Sequence, residues 1–334
     1  MIQDSIEKTL ACPNCRGFVK IKVHTTDDLG IRDGTVYCNQ CQEEYQIADG
    51  LFYLRKIPNI QDDRGKEWNL NRFEKRYKEI GLYKNAIEWG KYTGIPEAVS
   101  RFMYSKVKGR MLEWITPKRE GLILDIGCGV GYFLFEILYR NPGRNLTLIG
   151  LDVAESNLRL LRHRCMEEKV GNIICVIADA QNIPFREGVA DYIVCSEVLE
   201  HVPSPAKAID EMSRKLKING MLLISTPIEE ANKRWRTLSS PFRFIKKLVY
   251  KRVKPPQRGF DCPIGVQDLK RYIGEKLTIL DFERNAILPP EGYFKGLPDS
   301  ITQSVVSVCG FIEKRFKRIF EFLAMHAVVR AQKG

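Results

Sequence analysis

Leu122-Ile123-Leu124-Asp125-Ile126-Gly127-Cys128-Gly129-Val130-Gly131 is the stretch on which the reading of this chain turns. Its first five residues form a short apolar run of strand type, and Tyr132 to Tyr139 directly after the glycines reads as a helix. Glycines at a strand-to-helix junction let the backbone approach a ligand closely and aim the helix's first amides at it. The spacing is Gly-x-Gly-x-Gly, not the Gly-x-Gly-x-x-Gly of dinucleotide sites, and no Lys-Ser/Thr follows to make a phosphate-binding loop. Hydride transfer and nucleoside triphosphate hydrolysis therefore both lose ground.

Working outward, Leu146 to Leu151 reads as a second strand ending in Asp152, 25 residues after Gly127, where a carboxylate can accept both hydroxyls of a ribose. Ile173 to Ala178 is a third strand ending in Asp179-Ala180, and Ala190 to Cys195 a fourth ending in Ser196-Glu197. Met221 to Thr226 is a fifth. Polar residues at successive strand ends are how a doubly wound α/β sheet places its ligands.

These residues resemble the class I S-adenosylmethionine-dependent methyltransferases, within the large group that includes enzymes methylating quinones and sterols. The resemblance is carried by Leu124 to Gly131, Gly150-Leu151-Asp152-Val153-Ala154, Ala178-Asp179-Ala180 with Ile183-Pro184-Phe185, and Val198-Leu199-Glu200-His201-Val202. It implies a Rossmann-like, seven-stranded α/β sheet whose final strand, Ala324 to Gln332, is inserted antiparallel. It also implies S-adenosylmethionine as cofactor. Gly127, Gly129 and Gly131, with Cys128 beside them, would line its methionine part, Asp125 would orient that loop, and Asp152 with Val153 would hold the ribose. Asp179 and Ala180 would meet the adenine, and Ser196 would reach the cofactor's amino group through its backbone.

Methyl transfer from a sulfonium is an in-line displacement, so alignment supplies most of the acceleration, and a base is needed only if the acceptor holds a proton. His201 is the candidate base, because it follows the fourth strand and an unperturbed imidazole titrates near neutrality. Glu197 and Glu200 would orient it or bind substrate. The competing reading is that Glu200-His201 caps the next helix.

Nearer the N-terminus, Cys12-Pro13-Asn14-Cys15 and Cys38-Asn39-Gln40-Cys41 are separated by 22 residues. Two such knuckles aim four thiolates at one tetrahedral ion, and four protein ligands leave no open position, so a Zn2+ here is structural. The alternating apolar residues between them read as short ribbon strands. The ending from Cys41 to Gly50 resembles the small zinc-ribbon proteins that activate certain methyltransferases. Residues 1–55 carry eight acids and six bases, so this ribbon is no phosphate grip.

The chain of 334 residues is 44% apolar and 28% charged, which excludes disorder, collagen-like repeats and coiled coil as whole-chain descriptions. The expected division is a ribbon over 1–55, helices covering the cofactor over 56–120, and a catalytic domain over 121–333 with a basic insertion at 228–262. Tyr83, Trp89 and Tyr92 belong to the middle segment and are expected in its core or at the active site. No signal segment and no run of 18 apolar residues is present, so the expected location is cytoplasmic, peripheral on the inner face of a membrane.

The net charge of +12 is concentrated. Residues 232–258 contribute ten bases and no acids. Phe242, Ile245, Leu248 and Val249 recur there at helical spacing, with Lys246, Lys247, Lys251 and Arg252 on other faces; residues 311–323 repeat the pattern. Cationic amphipathic helices suit an anionic membrane surface and a lipid-like or other hydrophobic small-molecule acceptor. RNA would want the same charges, but the basic segment has few stacking aromatics, so RNA base methylation is the weaker alternative. A cofactor-binding scaffold without catalysis is the other.

Overall fold

The apolar run Leu122 to Ile126 lies in the middle of the sheet. The computed structural model describes residues 2–55, 88, 94–238 and 264–334. Its strands, in chain order, are β1 Val19–Asp27, β2 Gly30–Cys38, β3 Glu44–Ala48, β4 Leu51–Tyr53, β5 Glu120–Ile126, β6 Asn145–Asp152, β7 Ile173–Ile177, β8 Ala190–Ser196, β9 Leu216–Pro227, β10 Thr278–Ile287 and β11 Ala324–Gln332. They form one sheet in the order β1-β2-β3-β4-β7-β6-β5-β8-β9-β11-β10.

The strands β4 to β9 run parallel from β4 across to β9, and β11 pairs antiparallel with both β9 and β10. Alternate residues of β5 feed two different cores: Leu122, Leu124 and Ile126 pack in one, Ile123 in the other. A strand buried on both faces has no polar alternation to show, hence the near-continuous apolar run. Helices Tyr132–Arg140, Glu155–Glu168, Pro205–Lys215 and Val266–Gly274 complete the α/β layers.

The expected seven strands are β5 to β11, and the reversed last strand occupies the expected residues. The sheet nevertheless has eleven. The ribbon adds its four strands to the same sheet, because Leu51, Phe52 and Tyr53 of β4 pair in parallel with Cys175, Val176 and Ile177 of β7. Asp49 and Gly50, both at positive φ, make the two-residue turn that reverses β3 into β4. Without that tight reversal β4 could not lie along β7.

Side chains close the seam. Arg162 donates to both oxygens of Asp27 at 2.7 and 2.6 Å, and Arg159 reaches Asp49. On the other face Arg16 pairs with the buried Glu211 at 2.9 Å. The ribbon residues Ile21, Val36, Ile47 and Phe52 share one core with Leu124 and Ile149 of the catalytic half.

Ahead of β5, helix Glu97–Met103 continues through a π-turn at Tyr104–Lys108 into Gly109–Glu113. Tyr83, Trp89, Tyr92 and most of the basic insertion, including Lys246, Lys247, Lys251 and Arg252, lie outside the described residues. Phe52 is 4% exposed at the ribbon's junction with β7, so Phe52→Ala should lower unfolding stability by about 3 kcal/mol in urea melts. A loss under about 1 kcal/mol would mean that the junction is not part of the cooperative fold.

Candidate active site and metal centre

At the end of β5 the chain must turn sharply enough to start a helix over its own strand. It does so with Gly127, Gly129 and Gly131 at φ of 69°, 54° and 80°, the left-handed region that side chains disfavour. A Cβ at Gly127 would come 2.3 Å from Val198, and one at Gly131 would come 2.3 Å from Leu161. The Gly127 and Cys128 amides both donate to the Leu151 carbonyl, at 2.7 and 3.0 Å, folding the loop onto the end of β6. Cys128, expected among the cofactor contacts, turns its thiol toward Gly150, and burial pushes that thiol well above its usual range. Its side chain is a packing group, while its backbone belongs to the loop.

Asp152 ends β6 and fixes the loop. Oδ2 accepts from the Gly129 amide at 2.8 Å and from Asn157 Nδ2 at 3.4 Å, and Oδ1 accepts from the Ala154 amide at 2.8 Å. Asp125 was expected to orient the loop, but the hydrogen bond that does so comes from Asp152. Asp125 is 2% exposed, its Oδ2 is buried without a partner, and burial pushes its pKa up to about 7 despite Lys108 nearby. An orphaned carboxylate oxygen beside an open glycine loop fits the ammonium end of a methionine moiety. The residues present therefore suit the cofactor.

At the end of β7, Asp179 is half-buried and its Oδ1 accepts from the Gln181 amide at 2.8 Å, with Ala180 buried beside it. Val153 carries no side-chain polarity and its carbonyl accepts from Arg55 at 2.8 Å. Thus Asp125, Asp152, Asp179 and Ser196 stand at the C-terminal ends of β5, β6, β7 and β8, on one rim of the sheet.

Past β8 come the three residues expected at the catalytic centre, Glu197, Glu200 and His201. Glu197 takes φ of 57° and accepts from Ser225 Oγ at 2.8 Å, and that hydroxyl also lies 2.9 Å from Ser196 Oγ. Glu200 is buried, accepts from Thr226 Oγ1 at 3.2 Å, and is pushed up to about 7 by burial and by Glu197. His201 Nε2 stands 3.9 Å from Glu200 Oε1, beyond hydrogen-bonding reach. A second histidine, His326 of β11, also meets a carboxylate here, its Nε2 lying 3.0 Å from Glu197 Oε2. Sequence reasoning missed it; the available signal was a lone polar side chain inside the apolar strand Ala324-Met325-His326-Ala327-Val328-Val329.

Cys12, Cys15, Cys38 and Cys41 come together as predicted, with all four sulfurs within 4.8 Å of one another. The near pairs are Cys15 to Cys38 at 3.4 Å and Cys12 to Cys41 at 3.6 Å. Four thiolates at about 2.3 Å from a tetrahedral Zn2+ would be about 3.8 Å apart, so the cluster fits that ion. Backbone amides of Asn14 and Gly17 point at Cys12 and Cys15 sulfurs at 3.3 and 3.4 Å, as expected around thiolate charge.

The first knuckle rests on the loop after β7. Asn182 Nδ2 donates to the Pro13 carbonyl at 3.1 Å, the Ala11 amide to the Pro184 carbonyl at 3.0 Å, and Arg16 to the Ile183 carbonyl at 2.7 Å. Asp179 begins that same loop, so the four-cysteine cluster rests against the loop that carries it. Chelating the metal, or replacing Arg16 by Ala, should weaken binding of S-adenosylhomocysteine about tenfold by calorimetry, reversibly on adding Zn2+ to the chelated protein. Unchanged affinity in both would dissolve the link. Asp152→Ala should cost about 100-fold in the same titration, since a carboxylate's charged hydrogen bonds contribute roughly 1.5 to 3 kcal/mol each.

Known proteins resemble parts of this chain. A methyltransferase-domain profile matches residues 124–224. A ubiquinone biosynthesis O-methyltransferase from Erwinia tasmaniensis is 31% identical over 177 residues, 51% of this chain and 65% of that protein. An uncharacterized chloroplastic methyltransferase from Arabidopsis thaliana is 26% identical, over 66% of this chain and 63% of its own. The chain thus spans less than two thirds of either relative. Among solved structures, the Haloferax volcanii complex between the Trm112 methyltransferase activator and a methyltransferase aligns with 76% of this chain and 99% of that one, at 14% identity and a TM-score of 0.48. Residues 124–224, from β5 into β9, thus match the methyltransferase-domain family.

Proposed function

We propose that this protein transfers the methyl group of S-adenosylmethionine to a hydroxyl oxygen of a hydrophobic, quinone-like small molecule at a membrane surface. The observation that carries the reading is the glycine loop, Asp152 and Asp179 along one rim of the sheet, inside the segment matched by the methyltransferase domain. Support for the acceptor class comes from the relatives named for ubiquinone biosynthesis, at about 31% identity over half of this chain. Gly127, Gly129, Gly131 and Asp125 would hold the methionine part, Asp152 the ribose, Asp179 and Ala180 the adenine. When bound, the cofactor supplies an activated methyl group on a cationic sulfur.

The membrane part of the proposal rests on the long helix Asp299–Phe320 and the turn after it. The helix packs inward through Thr302, Cys309 and Glu313. On the outside, Ile301, Val308, Phe311 and Ile319 are 49% to 63% exposed, with Phe322 following at 41%. Lys314, Arg315 and Arg318 are exposed among them. Apolar side chains can enter the headgroup boundary while each well-placed base gains about 1 kcal/mol against anionic lipid. Of the basic cluster at 232–258, Lys233 and Arg234 lie on helix Glu229–Leu238, where Lys233 is paired with Glu229 at 2.8 Å and Arg234 donates to the Phe322 carbonyl at 2.8 Å, tying this helix to the same surface. Among the described residues no helix is long and apolar enough to cross a membrane.

The first test is transfer of labelled methyl from S-adenosylmethionine into a cell extract, followed by partition between organic solvent and water. Label in the organic phase is expected; label confined to the aqueous phase and released by nuclease would replace the quinone-like acceptor with RNA. The second is flotation with phosphatidylglycerol vesicles. The double variant Phe311→Glu with Ile319→Glu should float at least about tenfold less than the native chain, and equal flotation would remove this face from the proposal.

A further inference from the structure

The site contains a paired imidazole and carboxylate that the methionine, ribose and adenine contacts leave unused. His326 sits near the start of the reversed strand β11, opposite Pro227 at the end of β9. This places it on the rim that carries Asp125, Asp152 and Ser196, although it is 129 residues from Glu197 in sequence. Its Nε2 meets Glu197 Oε2 at 3.0 Å, and its Nδ1 is buried without a partner. Ser225 Oγ holds the other oxygen of Glu197 at 2.8 Å. Glu197 is thus gripped at both oxygens while its side chain stays 31% exposed, against 11% for His326. Its backbone is held at a φ of 57°, a conformation that costs a non-glycine residue energy and that concentrates at functional sites.

We infer that Glu197 withdraws the acceptor's hydroxyl proton and that His326, from the last strand, is its positioning residue. The inference rests on the methyltransferase reading above. As the acceptor oxygen's lone pair bonds to the methyl carbon, the carbon–sulfur pair returns to the cofactor's sulfur, which becomes a neutral thioether. The O–H proton passes to Glu197, and the ether product leaves uncharged. A weak base suffices, because the oxygen grows acidic as it gains the methyl group.

Charge around the pair favours this division of work. Burial opposes ionisation of Glu197, but His326, Ser225 and Lys108 hold its carboxyl below the usual range. Burial likewise opposes a charged His326, and Glu197, Glu291 and Glu200 outweigh it and raise the imidazole. Lys108, from the π-turn, faces Glu197, Asp125 and Glu291, and burial lowers it. Glu200 and Asp125 are pushed up to about 7, so neither is a fully ionised base at neutral pH. Glu197 is the carboxyl of this group that its neighbours hold below the usual range.

The test uses the full chain, catechol as acceptor probe and labelled S-adenosylmethionine. Glu197→Gln should abolish transfer, with cofactor affinity by calorimetry within twofold of native. His326→Gln should lower kcat about 100-fold, with KM for catechol within twofold. Losing the imidazole raises the Glu197 pKa, so the acidic limb of the kcat profile should move to higher pH. Ser225→Ala should move that limb the same way by less, which keeps the test alive if His326→Gln fails to fold. Native kcat and an unmoved limb in both variants would overturn the inference. If the native chain methylates neither catechol nor a cell extract, it is the methyltransferase reading that fails. The pair is then judged by nitrogen NMR of the four histidine rings: in Glu197→Gln the His326 ring should titrate at lower pH, and an unshifted ring would overturn the pairing.

Discussion

The carboxylate of Asp152 is the fixed point of the molecule. Three N–H donors from three directions converge on it: Gly129 from the glycine loop, Ala154 from its own turn, and Asn157 from the following helix. A charged acceptor buried at 7% exposure is stable only when its lone pairs are met in this way. Those bonds hold the left-handed loop in register with the end of β6, and the loop in turn sets where the helix Tyr132–Arg140 begins. The central strands, the helix that covers them and the cradle for a ligand therefore share one electrostatic tether.

A second constraint is the number of acids on one rim. Asp125, Glu197, Glu200 and Glu291 are brought together with Lys108 and His326, and they do not carry equal charge. Burial pushes Asp125 and Glu200 up to about 7 and raises Glu291, while His326 and Ser225 hold Glu197 low. Raised carboxyls beside a lowered one are the usual outcome when like charges share a poorly solvated space.

Much of this was legible in the residues, for a physical reason. The glycine loop, Asp152, Asp179 and Ser196 are each set by a few consecutive residues at a strand end, so local sequence determines them. The cysteine knuckles are equally local. His326, Lys108 and Glu291 reach the site from distant elements, and nothing next to them in the chain announces a function; only the antiparallel insertion of β11 and the π-turn at Tyr104–Lys108 bring them in. Reading His201 as the base followed its place after the fourth strand and the usual titration of an imidazole; the turn Leu199–His201 sets its ring 3.9 Å from Glu200. The union of ribbon and catalytic sheet was hidden for another reason. Its joint is β4, three residues long, too short to show any periodicity.

That joint has a consequence for how the catalytic half is kept intact. A sheet edge capped by a separate protein is occupied only in proportion to how much of that protein is present, and dilution empties it. Here Leu51, Phe52 and Tyr53 are tethered to the edge they cover, so occupancy is a property of one molecule and is independent of its concentration. With an ion on the four cysteines, its loading would become the variable that governs the edge, a quantity set by metal supply and not by chain concentration.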